Sequence, residues 1–68
     1  MDAYATLAMR LKRLRKARQH MSQRELARRA GLSRAYVSRL EIGRHDPTLS
    51  TLVKLAKALR VRVARLLE

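Results

Sequence analysis

The sequence predicts an all-α fold of five short helices. Three observations predict it. Between Ser22 and Glu41, two helix starts lie on either side of a single glycine, Gly31. Apolar residues recur at three- and four-residue spacing before that stretch, at Ala3, Leu7, Leu11 and Leu14. They recur again after it, at Leu49, Leu52, Val53, Leu55, Ala56 and Leu59, the period of a half-buried helix. No strand-like alternation, internal repeat or low-complexity tract interrupts them.

Each element has a local cause. Asp2 caps a first helix from Ala3 to about Arg18. Arg10, Lys12, Arg13, Lys16 and Arg18 lie mostly outside its apolar arc, whereas Arg15, next to Leu14, lies near its edge. Gln19-His20-Met21 is a turn. Ser22 and Glu25 have the S-x-x-E spacing of a capping box, so a second helix runs from about Gln23 to Ala30. Leu26, Ala27 and Ala30 face inward, and the alanines let the next helix approach closely. Gly31 takes positive φ without a Cβ penalty and stops the helix. Ser33 caps a third helix from Arg34 to about Ile42, with Leu32, Val37 and Leu40 toward the core and Gly43 ending it. Asp46, before Pro47, is extended. Thr48, with Ser50 as competitor, caps a fourth helix that reaches Leu59 or Arg60. A fifth runs from Arg62 or Val63 to Leu67 and has no Ser or Asp cap.

Composition bounds the function. The chain has 68 residues, net charge +12 and no cysteine. We expect one domain, residues 1–68, with little room for an enzyme cleft. The charge suits a polyanionic partner; its bland alternative is a solvated basic surface. No disulfide or thiolate metal site is possible, which fits a cytoplasmic protein. No apolar run approaches a membrane span and no secretion signal opens the chain. His20 and His45 lie far apart without clustered carboxylates, so no metal is expected. No nucleophile–base spacing or glycine-rich phosphate loop implies an enzyme or a cofactor.

Helix, short glycine turn, helix is the spacing of a helix-turn-helix, which presents its second helix to the DNA major groove. Residues near that helix's N-terminus reach base edges first: Ser33, Arg34, Ala35 and Tyr36, with Arg39 a turn later. Arg34 and Arg39 suit bidentate contact with guanine, and Ala35 suits a thymine methyl. For each arginine the alternative is a phosphate contact or free solvent. For Tyr36 it is a lid over the core.

The same stretch resembles the Xre-type helix-turn-helix domain of lambdoid phage repressors, Cro proteins and restriction–modification controllers. The matching residues are Ser22-Gln23, Glu25-Leu26-Ala27, Ala30-Gly31-Leu32-Ser33, Tyr36-Val37-Ser38-Arg39-Leu40-Glu41, Gly43-Arg44 and Pro47-Thr48, followed by Leu52 to Leu59 and Val61. The resemblance runs from about Leu7 onward. It implies a five-helix lambda-repressor-like DNA-binding domain, with base-reading positions at Arg34, Ala35 and Arg39, and often Tyr36. Gln23 is implied as a phosphate anchor beside Ser33. Arg44 and backbone amides near Gly43 form the second clamp, and Arg10, Arg24 and Arg28 are weaker phosphate candidates. Glu41 is implied to pair with an arginine of the first helix, and a partly buried Arg15–Glu41 pair is expected to fix the third helix against the first. The register of Leu11 and Leu14 favours Arg15; counting back across the turn favours Lys16. The family commonly has glycine where His20 and Arg60 stand. An αL arginine costs roughly 1 kcal/mol, so the fourth helix is free to run on through Arg60.

The expected function is a sequence-specific, duplex-DNA-binding transcriptional regulator. One helix reads too few base pairs to select an operator, so a homodimer on a pseudo-palindrome is expected. Val61, Val63, Leu66 and Leu67 are its interface candidates, with closure of the monomer core as their alternative. No small-molecule sensing domain is expected in this length. A phage-type repressor, a restriction–modification controller and an antitoxin-type autoregulator with a protein partner are the competing roles. Two other classes remain: an RNA-associated basic protein, and a basic module for an acidic partner or anionic membrane.

Overall fold

The computed structural model describes residues 2–68. The helices are α1 (Ala3–Ala17), α2 (Gln23–Ala30), α3 (Arg34–Glu41), α4 (Leu49–Leu59) and α5 (Ala64–Leu67). No strand occurs among the described residues.

The first four helices start where a short oxygen-bearing side chain meets an orphan amide. Asp2 accepts from the Ala5 N–H at 2.7 Å, Ser22 from Glu25 at 3.0 Å, Ser33 from Tyr36 at 3.1 Å and Thr48 from Thr51 at 3.2 Å. Thr48, not Ser50, is therefore the cap of α4. Only half of the expected capping box at Ser22 forms. The Glu25 carboxylate turns instead to Arg28 and Arg29, each at 2.6 Å. Two cations three and four residues on compete better for it than one backbone amide.

Three helices end in the same way. Gly31, Gly43 and Arg60 have φ of 70°, 75° and 56°. After Gly31, the Leu32 N–H reaches back to the Ala27 carbonyl at 2.8 Å. After Gly43, Arg44 reaches Arg39 at 3.0 Å, and after Arg60, Val61 reaches Ala56 at 3.0 Å. This paired closure satisfies otherwise orphaned carbonyls. It corrects the expectation that α4 runs on through Arg60. The closure turns half-buried Val61 onto the core, which offsets the strain of an αL arginine. Gln19 and His20 also have positive φ, 55° and 56°, so the α1–α2 turn is made without glycine.

One core joins all five helices. Leu11, Leu26, Val37, Leu40, Leu55, Leu59 and Leu66 are its fully enclosed side chains. Met21, read as a turn residue, is also buried there. Two residues of the predicted apolar faces stay outside: Ala3 is exposed and Leu49 is 69% exposed. Each is the first residue of its helix, and burial begins about a turn later, at Leu7 and Leu52. α3 packs on α1 and α2, while α5 packs on α1 and α4. This leaves the outer side of α3 without a protein partner.

Candidate nucleic-acid interface

α3 divides its residues by face. Val37, Leu40 and Glu41 are buried, and Ser33, Arg34, Ala35 and Arg39 are exposed. Ala35 and Arg39 are four residues apart and share a face; Arg34 opens the helix. Tyr36 is half-buried and packs against the core. Its ring meets His45 edge-on, with centroids 4.8 Å apart and planes at 83°. The aromatic pair thus ties α3 to the loop that carries Arg44.

Beneath α3 lies a buried polar network. Arg15 Nε donates to Glu41 Oε2 at 2.6 Å and Nη2 to Oε1 at 2.9 Å. Arg15 Nη1 donates to the Met21 carbonyl at 2.6 Å. Gln23 Nε2 donates to Glu41 Oε1 at 3.1 Å. The Arg15 and Glu41 side chains are 9% and 2% exposed, so both charges are desolvated and each depends on the other. The partner of Glu41 is Arg15 rather than Lys16, which is exposed. The network joins α1, the turn before α2, the first residue of α2 and the last of α3. The links through Gln23 and the Met21 carbonyl escaped sequence reading. No spacing signal announces a side-chain amide donor 18 residues from Glu41 or a backbone carbonyl acceptor in the turn six residues after Arg15.

The phosphate candidates are distributed around α3. Gln23 is half-buried and held by Glu41, which leaves one amide N–H and its carbonyl oxygen for another partner. Ser33 Oγ accepts from Tyr36, so its own proton remains to be donated. The Arg44 side chain is exposed. The amides beside it correct the expected clamp. The Gly43 N–H goes to Leu40 and the Arg44 N–H to Arg39, so these two amides are spent closing α3. Arg28 is held by Glu25. These two partners hold the Glu25 carboxyl at about 2, well below the usual range, by hydrogen bonding first of all. Arg24 is exposed, whereas Arg10 is half-buried on the side of α1 that meets α5.

The C-terminal candidates separate. Leu66 is fully enclosed in the monomer core, which removes its side chain from any subunit surface. Val61 and Val63 are half-buried against the core, and Leu67 is 59% exposed. A cavity of about 300 Å³ opens beside it, lined by Tyr4, Leu7, Asp46, Pro47, Leu52 and Leu67, among others. His20 and His45 are exposed. Among the described residues no group of three or more His, Cys, Asp or Glu gathers. No helix there is long and apolar enough to cross a membrane.

A family model described as helix-turn-helix matches residues 11–66. The immunity repressor protein of Bacillus phage phi105 is 42% identical over 59 residues, which cover 87% of this chain and 40% of the repressor. The chain spans less still, 32%, of a second relative, an uncharacterised regulator of Sinorhizobium fredii. Among solved structures, a hypothetical transcription factor from Neisseria superposes with a TM-score of 0.93 at 42% identity, over 98% of this chain and 76% of that one. The restriction-modification controller protein C.AhdI from Aeromonas hydrophila superposes with a TM-score of 0.89 at 36% identity, over 93% of this chain and 94% of the controller.

Proposed function

This chain belongs to the helix-turn-helix family of DNA-binding transcriptional regulators, and we propose that it reads a pseudo-palindromic operator as a homodimer, with α3 in the major groove. The observation that carries this reading is the division of α3. Arg34, Ala35 and Arg39 are free on one side, and Val37, Leu40 and Glu41 are locked on the other. A reading helix has to be held rigidly, because a bidentate contact to guanine tolerates little misalignment. The Arg15–Glu41–Gln23 network supplies that rigidity.

Arg34 and Arg39 take guanine O6 and N7, Ala35 contacts a thymine methyl, and Tyr36 lies along the groove wall. Gln23, Ser33 and Arg44 hold phosphates on either side and set the register. Dimerisation uses exposed Leu67 with the outer faces of Val61 and Val63, placing two reading helices ~34 Å apart. The regulator works in the cytoplasm as a repressor or controller, without cofactor, metal, membrane or small-molecule ligand. It catalyses no reaction.

Selection of bound sites from a random duplex pool tests this. A pair of related half-sites about one helical turn apart is expected. Arg34→Ala and Arg39→Ala should each relax preference at one position per half-site by about 1–3 kcal/mol. A pool that returns no enriched sequence would overturn the reading.

A further inference from the structure

We propose that His45 is a positioning residue for operator binding, which holds the Tyr36 ring at the groove wall, and that its imidazole takes up a proton as phosphates close on it, so that affinity falls as pH rises through neutrality. The proposal rests on the operator-binding reading and adds a residue to it.

The rings of His45 and Tyr36 meet edge to face, with centroids 4.8 Å apart and planes at 83°, an arrangement that aromatic pairs favour. Tyr36 also packs against the core, so core and imidazole together restrict how its ring can turn. Tyr36 lies in the first turn of α3, where Ser33 accepts from its N–H at 3.1 Å. His45 directly follows Arg44, whose N–H closes the other end of α3 on the Arg39 carbonyl at 3.0 Å. His45 therefore ties the start of the reading helix to the loop beyond its end. The loop is braced from α1 as well. A Cβ on Gly43 would lie 3.6 Å from the Tyr4 carbonyl oxygen and the Ala5 Cα, so the chain runs close along the first turn of α1. Side chains held from two sides keep their place when a ligand arrives.

His45 is exposed, so its ring exchanges protons freely with water. Arg44 and Asp46 flank it in its own loop with opposite charges, and Tyr36 faces it from α3. Tyr4 and Asp2, at the start of α1, meet Asp46. The charge of Asp46 foremost, then its hydrogen bond, and more weakly Asp2, hold the Tyr4 phenol above its ordinary value. Arginine, carboxylate and phenol groups ordinarily keep their charge between about pH 6 and 8, whereas imidazole changes its charge there. When Tyr36 and Arg44 seat on the DNA backbone, phosphates come within a screening length, ~8 Å at physiological salt, of the ring between them. Their negative charge favours the imidazolium. The added affinity is present below the ordinary histidine range and is lost as pH rises through the higher value in the complex.

Operator titrations between about pH 6 and 8 at fixed ionic strength test this. Wild-type affinity should fall about tenfold per dimer across that range. His45→Ala should flatten the profile and, at the alkaline end, still bind about threefold more weakly than the wild type, because the aromatic contact is gone. His45→Phe restores an aromatic edge against Tyr36 without a titrating group. Its profile should also be flat, yet it should bind more tightly than His45→Ala. Helical circular dichroism should be unchanged in both, since the side chain is exposed. His20→Gln removes the other of the two histidines and should keep the wild-type slope. A flat wild-type profile, a slope that survives in His45→Phe, or one lost in His20→Gln would overturn the proton uptake. His45→Ala matching the wild type at the alkaline end would overturn the positioning role. In each of those cases sequence-selective binding leaves the reading of α3 standing, whereas no selective binding at any pH would bring down that reading and this one together.

Discussion

Glu41 and Glu25 show how differently one residue type acts in two settings. Glu41 is almost fully buried and its carboxylate receives Arg15 twice and Gln23 once. Glu41→Ala strands a guanidinium whose side chain is only 9% exposed. It should cost about 3–5 kcal/mol, read as a fall in urea midpoint at unchanged m-value. Unchanged stability would mean that Arg15 escapes to water. Glu25 sits at the surface, and exposed pairs contribute little. What it contributes is pH-dependent. Its folded value, about 2, lies below the usual 4.5. The stabilisation is therefore present above about pH 4.5 and is lost as pH falls through about 2. The stability difference between the wild type and Glu25→Gln should shrink across that window, in melts taken at a series of pH values, and be flat above it.

At the scale of the element, the helix ends carry the clearest prediction. Arg60 and His20 hold αL conformations, with φ of 56° in both, that glycine adopts freely. Arg60→Gly should raise stability by about 1 kcal/mol, seen as a higher denaturation midpoint. Arg60→Gly leaving the midpoint unchanged or lower would mean that packing of the arginine stem outweighs its backbone strain. The same ends explain what α3 can offer DNA. Closing the helix uses the amides of Gly43 and Arg44, so the proposed phosphate contact past its C-terminus draws on the Arg44 side chain. Its start keeps the Ser33 hydroxyl proton and the unpaired first-turn amides.

For the molecule as a whole, charge and symmetry meet in salt dependence. A net charge of +12 opposes association of two copies until a polyanion neutralises them. A homodimer that covers about eight phosphates should lose operator affinity with a log–log salt slope near −7, a monomer with half the contacts near −3.6. Titration at several salt concentrations, with sedimentation of the complex, separates the two. Leu67, the most exposed of the C-terminal apolar candidates, is where Leu67→Glu should disrupt the dimer and leave the monomer fold intact. The same change at Leu66 should unfold the chain.

The starts of the first four helices and the stops at Gly31 and Gly43 were legible because their causes act within a few residues: Asp2, Ser22, Ser33 and Thr48 each cap an amide three positions on. The candidate reading face was legible for the same reason, since periodicity alone separates Arg34, Ala35 and Arg39 from Val37 and Leu40. By itself, then, the sequence determined the five helices and which residues of α3 stand outside. Only the tertiary structure decided that the expected Arg15–Glu41 pair, 26 positions apart, also takes in Gln23 and the Met21 carbonyl. It alone decided that Arg60 bends backward to bring Val61 onto the core, and that Leu66 closes the monomer while Leu67 stays in solvent. Such choices turn on desolvation and on contacts between distant segments, quantities that do not exist until the helices have packed.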